Sequence, residues 1–130
     1  MAVLPDEARR ILRALSFPLV AHPDGERVLL SPVWVHVDDD DLILINTTET
    51  RAKGKYLQTG APVTLCALDP ANPYHYVTVH GRVADRSTED GLTVIGMLCR
   101  KYHDGRPWAA REGERRVTIR IEAERALLYG

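Results

Sequence analysis

A mainly β protein, with six antiparallel strands closed or nearly closed into a barrel and three small helices, is the architecture this sequence predicts. Three observations carry it. Six short stretches, 17–21, 27–37, 42–47, 63–68, 76–83 and one centred on Val117, Ile119 and Ile121, are rich in apolar residues and bounded by Gly, Pro, Asn or Asp. Three other stretches place apolar residues at helical spacing, and all are brief. No repeat, low-complexity tract or linker divides the chain, and closing the sheet would remove its exposed edges.

The first helix is expected over residues 5–15, where Ala8, Ile11, Leu12 and Leu15 share a face behind Pro5, a favoured first-turn residue. It ends near Ser16-Phe17-Pro18. A strand follows from Phe17 to Ala21, and His22-Pro23-Asp24-Gly25-Glu26 turns the chain into a longer strand from Arg27 to Val37. Asp38 to Asp41 is a second turn. Leu42 to Thr47 returns as a strand too apolar to be exposed on both faces. Ala52 to Gln58 is a brief helix stopped by Thr59-Gly60-Ala61-Pro62. Val63 to Leu68 is the next strand, Asp69 to Pro73 breaks the chain, and Tyr76 to Val83 alternates with period two, so one of its faces is buried. Ser87-Thr88-Glu89-Asp90 opens a third helix with Leu92, Ile95, Leu98 and Tyr102 near one stripe. A polar loop from His103 to Gly113 precedes the final strand.

At 130 residues, 45% apolar and 27% charged, one domain spanning 1–130 with its own core is expected. A formal net charge of -1 supplies no global field for nucleic acid or an anionic membrane, so any anion site must be local. Met1 to Glu7 pair no basic region with an apolar run, and no stretch reaches the about 18 apolar residues that span a bilayer; a cytoplasmic protein is expected. Cys66 and Cys99 form no CxxC and read as small buried side chains, not as a disulfide or metal pair. The run Asp38 to Asp41 lacks the alternating ligands, central Gly and distant Glu of a calcium loop, and His75 and His80 have opposite parity on one strand. No metal site is expected. G-x-S-x-G, P-loop and G-x-G-x-x-G signatures do not occur, which takes support from serine hydrolysis and the usual nucleotide folds.

The densest chemistry lies at Asn46-Thr47-Thr48-Glu49-Thr50-Arg51-Ala52-Lys53-Gly54-Lys55, where three hydroxyls and three cations crowd a strand-to-helix junction. A helix start offers unpaired N–H groups and the positive end of the macrodipole, so such a junction can hold a phosphate. By composition alone, the commoner meaning of such a run is a polar cap before a solvated helix face. Arg51 and Lys53 would diverge by roughly 200° inside a regular helix and converge only at its entry turn. Arg51 and Lys55 stand at i,i+4 and would share a face. Spacing leaves either lysine open as the second cation.

Four blocks in order carry a family resemblance over nearly the whole chain: Ser31-Pro32-Val33-Trp34-Val35; Thr47-Thr48 through Arg51-Ala52-Lys53; Asp69 to Val77 with Gly81-Arg82-Val83; and Arg116-Val117 to Tyr129. With them the sequence resembles the flavin-binding split barrels of the pyridoxamine 5'-phosphate oxidase-like superfamily, and within it the branch that depends on the deazaflavin coenzyme F420. The resemblance implies a homodimeric, six-stranded split β-barrel with two cofactors at the subunit interface. It also implies that the phosphate-bearing tail lies against Thr47, Thr48, Arg51, Ala52 and Lys53, and the ring system against Pro32, Val33, Trp34 and Val35. Pro32 lacks an N–H and interrupts the ladder, which leaves neighbouring main-chain groups free to face a ligand. Tyr74-His75-Tyr76 is similar to the family segment that reaches toward the partner subunit's cofactor, which makes His75 and Tyr76 binding candidates and weak candidates for proton donation. Aromatic residues after a Pro-rich loop are equally often core or interface anchors.

Flavin mononucleotide (FMN) members often show Thr-Asn followed by Ser-x-Lys, so Arg51-Ala52-Lys53 favours F420, with FMN as the alternative. No histidine falls in a haem axial-ligand motif. The activity implied is hydride transfer from reduced F420 to a small electron-poor acceptor such as an enone or quinone, with the cofactor carrying the chemistry. An FMN-dependent oxidoreductase of the same fold and a non-catalytic flavin- or F420-binding protein are the competing readings.

Overall fold

The computed structural model describes residues 4–130. In chain order the elements are helix α1 (Asp6–Arg13), strands β1 (Leu19–Pro23), β2 (Val28–Pro32), β3 (His36–Val37) and β4 (Ile43–Thr48), helix α2 (Ala52–Tyr56), strands β5 (Pro62–Asp69) and β6 (Asn72–Ser87), helix α3 (Gly91–Tyr102) and strand β7 (Arg116–Tyr129). The strands form one antiparallel sheet in the order β2-β1-β5-β6-β7-β4-β3.

The long strand expected from Arg27 to Val37 is two strands on opposite edges of the sheet, which makes seven strands where six were expected. Pro32 ends the β1–β2 ladder opposite Leu19, because it has no N–H to carry the pairing further. The next N–H, that of Val33, donates to the Pro18 carbonyl at 2.9 Å. Residues 33–35 then cross from one edge to the other. The sheet's hydrogen bonds therefore leave two edges, and this crossover, not a ladder, bridges them.

Alternation along the strands builds the core. Val20, Val63, Leu65, Ala67, Val77, Val79, Ile43, Ile45, Ile119 and Ile121 are all at most 3% exposed and form one cluster. Each Val, Leu or Ile side chain among them contributes roughly 1.5–3 kcal/mol when fully buried. Helix α1 caps the cluster with Ala8, Ile11 and Leu12, while Leu15 lies beyond the helix and is exposed. Arg9 anchors α1 through two 2.8 Å bonds to Asp41, and this pairing holds the Asp41 carboxyl below its usual range. Strand β4 is buried on both faces, as its composition predicts, because Leu44 packs in a second cluster with Val94 and Leu98 of α3. Val94, not the half-exposed Leu92, completes the buried stripe of α3.

The break expected at Asp69–Pro73 is only a two-residue turn, with Asp69 opposite Asn72. Strand β6 consequently starts at Asn72 and runs for 16 residues, bending at irregularities near His80/Gly81 and Val83/Asp85. Cys99 is buried and Cys66 half-buried, and both are free thiols. No described helix is long and apolar enough to cross a membrane.

Candidate functional site

The junction after β4 is built by backbone contact. Helix α2 packs so closely on the end of β4 that a Cβ at Gly54 would stand 2.0 Å from the Thr48 carbonyl oxygen, a place only glycine can occupy. Arg86 of β6 fixes the other end of α2 by donating to the carbonyls of Gly54 and Leu57, both at 2.9 Å. Helix α2 spans five residues, with Arg51 at its N-cap and no side-chain cap. So short a helix contributes little macrodipole, and the anion-binding character of the junction rests on its side chains, not on the helix start that the sequence suggested.

Those side chains face a cavity of about 310 Å³. Arg51 and Lys53 both line it, whereas Lys55 points elsewhere, its Nζ lying 5.4 Å from the Tyr56 ring centroid. Spacing could not choose between the lysines; the N-cap position of Arg51 does. Lys53 Nζ donates to Ser31 Oγ at 2.8 Å, tying α2 to β2. Burial first, and the charge of Arg51 second, lower the Lys53 pKa from its ordinary value, with no carboxylate among its influences. Thr47 is 1% exposed and its Oγ1 has no partner among the described residues.

Aromatic side chains also wall the cavity. Trp34, on the 33–35 crossover, stacks on Tyr102 with centroids 5.5 Å apart and meets Trp108 edge to face at 6.4 Å. Phe17 adds to this aromatic lining, and Ile95, Leu98 and Val33 supply further apolar surface. Arg116, 8% exposed, also lines the cavity; its guanidinium lies 4.6 Å from the Trp108 ring centroid and pairs with Glu114 at 2.7 Å. Glu114 organises this loop by accepting from the Arg111 N–H at 3.0 Å and from Trp108 Nε1 at 3.3 Å, and these contacts with Arg116 hold its carboxyl below the usual range. Asn46 of β4 ties that strand to α3, donating Nδ2 to the Gly91 carbonyl at 2.9 Å.

Of the residues predicted from sequence, Pro32, Val33, Trp34, Thr47, Arg51 and Lys53 converge on this cavity. Thr48 lines an adjoining space of about 380 Å³ that shares Arg51, Trp108 and Arg116 with it. Ala52 is exposed and lines neither. Val35 is fully buried behind the wall, with both main-chain groups bonded within the chain: its N–H donates to Tyr102 Oη, and its carbonyl accepts from Lys101 Nζ. His75 and Tyr76 lie near the start of β6, away from the cavity of their own chain, where His75 Nδ1 contacts the Tyr129 carbonyl at 2.7 Å and Tyr76 stacks on Tyr129. Phe17, Asn46, Ile95, Leu98, Trp108 and Arg116 also line it and were not among the predicted site residues, although Asn46 opens the densest segment and Arg116 opens the last block of the resemblance. For Trp108 the available signal was a tryptophan in an otherwise polar loop, since Trp needs apolar cover. Among the described residues no group of three His, Cys, Asp or Glu side chains comes together to hold a metal ion.

No family model matches the chain, and no curated protein sequence matches it. Solved structures match in fold. An F420 reductase superposes with a TM-score of 0.79 at 23% identity, covering 95% of this chain and 98% of that one. A conserved hypothetical protein from Mycobacterium tuberculosis gives 0.73 at 20% identity, covering 98% and 85%. A putative pyridoxamine 5'-phosphate oxidase from Listeria innocua gives 0.67 at 13% identity, covering 95% of each chain. The chain has the fold of these proteins. They include both names that the sequence resemblance implies, the F420 reductase and the pyridoxamine 5'-phosphate oxidase.

Proposed function

We propose that this chain is a coenzyme F420-dependent reductase that works as a homodimer, with residues 1–130 forming one cofactor-binding domain. The observation that carries the reading is that Arg51 and a desolvated Lys53 line one cavity together with Trp34, Trp108 and Phe17. Two neighbouring cations with no carboxylate acting on the lysine suit an anionic group, and the buried, unpartnered Thr47 hydroxyl adds a polar group beside them. A flat ring system suits the aromatic and apolar side of the same cavity.

In this reading Thr47, Thr48, Arg51 and Lys53 hold the phosphate-bearing tail, with Ala52 between the two cations. Pro32, Val33 and Trp34 stand against the ring, and Val35 supports them from behind. Reduced F420, when bound, supplies the hydride. The protein's part is to bind, orient and exclude water, for which the apolar wall is suited. The acceptor is a small electron-poor molecule. His75 and Tyr76 are assigned toward the second subunit's cofactor. A dimer is supported by the outer face of β1 and β2, where Leu19, Val28 and Leu30 are 44%, 69% and 64% exposed and Leu19 pairs with Pro32, which lines the cavity.

Anaerobic mixing of the protein and reduced F420 with a panel of quinones and enones tests this reading. Oxidation of the cofactor that depends on both protein and acceptor is the expected result; tight binding with no oxidation by any acceptor would place the chain among cofactor-storing or sensing proteins. FMN is the second reading, favoured by the shared fold with the putative pyridoxamine 5'-phosphate oxidase and served by the same two cations.

A further inference from the structure

Two consecutive residues in the last turn of α3, Lys101 and Tyr102, serve the segments that carry the aromatic wall. Tyr102 Oη donates to the Ser16 carbonyl at 2.5 Å and accepts the Val35 N–H at 3.2 Å. Lys101 Nζ donates to the Val35 carbonyl at 2.7 Å and to the Leu12 carbonyl at 3.1 Å. Ser16 precedes Phe17 and Val35 follows Trp34, so Phe17 and Trp34 each sit one bond from a main-chain group held by this pair. The Tyr102 ring also packs on these two residues, stacked on Trp34 and tilted at 5.0 Å from Phe17.

The crossover needs such a holder. Residues 33–35 belong to no strand, so the ladder that fixes backbone elsewhere in the sheet is missing where Trp34 must be placed. The choice of a lysine is also informative. Burial pushes Lys101 down to about 8, and no carboxylate offsets that cost, so an apolar side chain of similar length would be the cheaper filling. What methionine could not do is bridge the carbonyls of Leu12 and Val35. The ammonium also lies 4.9 Å from the Tyr102 ring centroid, which makes the two residues one unit.

We propose that Lys101 and Tyr102 are positioning residues for the cavity, bracing the 33–35 crossover and the Ser16-Phe17 segment so that Trp34 and Phe17 present one fixed aromatic wall to the ligand. Neither residue lines the cavity itself. The brace is a property of the folded chain alone; its effect on affinity rests on the cofactor reading above.

The test uses the full chain labelled with 5-fluorotryptophan, whose two tryptophans give two fluorine resonances, assigned with Trp108→Phe. In Tyr102→Phe, which removes one oxygen and keeps the ring, the Trp34 resonance is expected to broaden or split in the ligand-free protein. Lys101→Met is expected to do the same if it folds. A role confined to global stability would lower the denaturation midpoint and leave the Trp34 resonance of the folded protein a single sharp line, whatever its shift, and that result in Tyr102→Phe overturns the proposal. Titration with oxidised F420 and with FMN forms the second arm, where each variant is expected to bind roughly fivefold or more weakly, the equivalent of one lost hydrogen bond. Wild-type protein that binds neither cofactor would overturn the functional reading instead, and the fluorine spectra would still decide the brace.

Discussion

Replacing Lys53 with methionine separates the cost of a desolvated cation from its use. In the free protein, Lys53→Met removes the 2.8 Å bond to Ser31 Oγ, worth about 1.5–3 kcal/mol for a charged donor. It also removes a charge that burial and Arg51 both disfavour, and the two effects oppose each other. Net stability is therefore expected to move by less than the roughly 1.5–3 kcal/mol of the bond alone. Ligand binding has no such compensation. Losing one charge-assisted contact to a phosphate costs about 1.5–3 kcal/mol, or roughly 10- to 150-fold in Kd. Because the Lys53 pKa is lowered, its proton leaves before that of an ordinary lysine as pH rises, so wild-type affinity is expected to fall on the alkaline side and Lys53→Met to lose that limb. Calorimetric titration with F420 and FMN across pH, beside thermal denaturation of the free proteins, measures all three quantities. Unchanged affinity in Lys53→Met would refute the assignment of the cation pair.

Gly54→Ala brings a Cβ against the Thr48 carbonyl and is expected to cost about 1–3 kcal/mol and to weaken ligand binding by displacing α2; a wild-type urea midpoint would contradict the packing account. Arg86→Ala leaves the Gly54 and Leu57 carbonyls without their donor and is expected to lose about 1–3 kcal/mol by thermal denaturation, with reduced affinity although Arg86 does not line the cavity. His22 and His36 are both held below the ordinary histidine pKa, chiefly by burial, so as pH falls through about 6.5 the unfolded chain takes up protons that the folded chain does not. Stability should be full above that pH and decline below it; urea midpoints measured from pH 7.5 to 5.5 should fall, and His22→Gln should flatten the slope.

Local signals made most strands legible, because alternation in β5, β6 and β7 marks a buried face whatever those strands pair with. Pro32 was recognisable as a break in the ladder. That the chain then crosses to the far edge was not, since periodicity carries no information about which neighbour a strand finds. The same limit shaped the site. Thr47, Arg51 and Lys53 stand within one short segment whose chemistry is visible in sequence, whereas Arg116 is brought to the cavity by the pairing of β7 with β4, opposite Thr48, and Trp108 belongs to a loop that Glu114 folds. Leu92 and Val94 fit a helical stripe about equally well by eye, and only packing against Leu44 of β4 selects Val94. Lys101 reads as one more solvated lysine until the crossover it holds is seen.

The central claim, that Arg51, Lys53 and the aromatic wall form a deazaflavin site, is tested most directly by fluorescence titration of the purified chain with oxidised F420 and, separately, with FMN. Saturable binding that favours F420 and weakens in Lys53→Met is the expected result. Binding of FMN alone would move the chain to the flavin reading, and binding of neither would contradict the site.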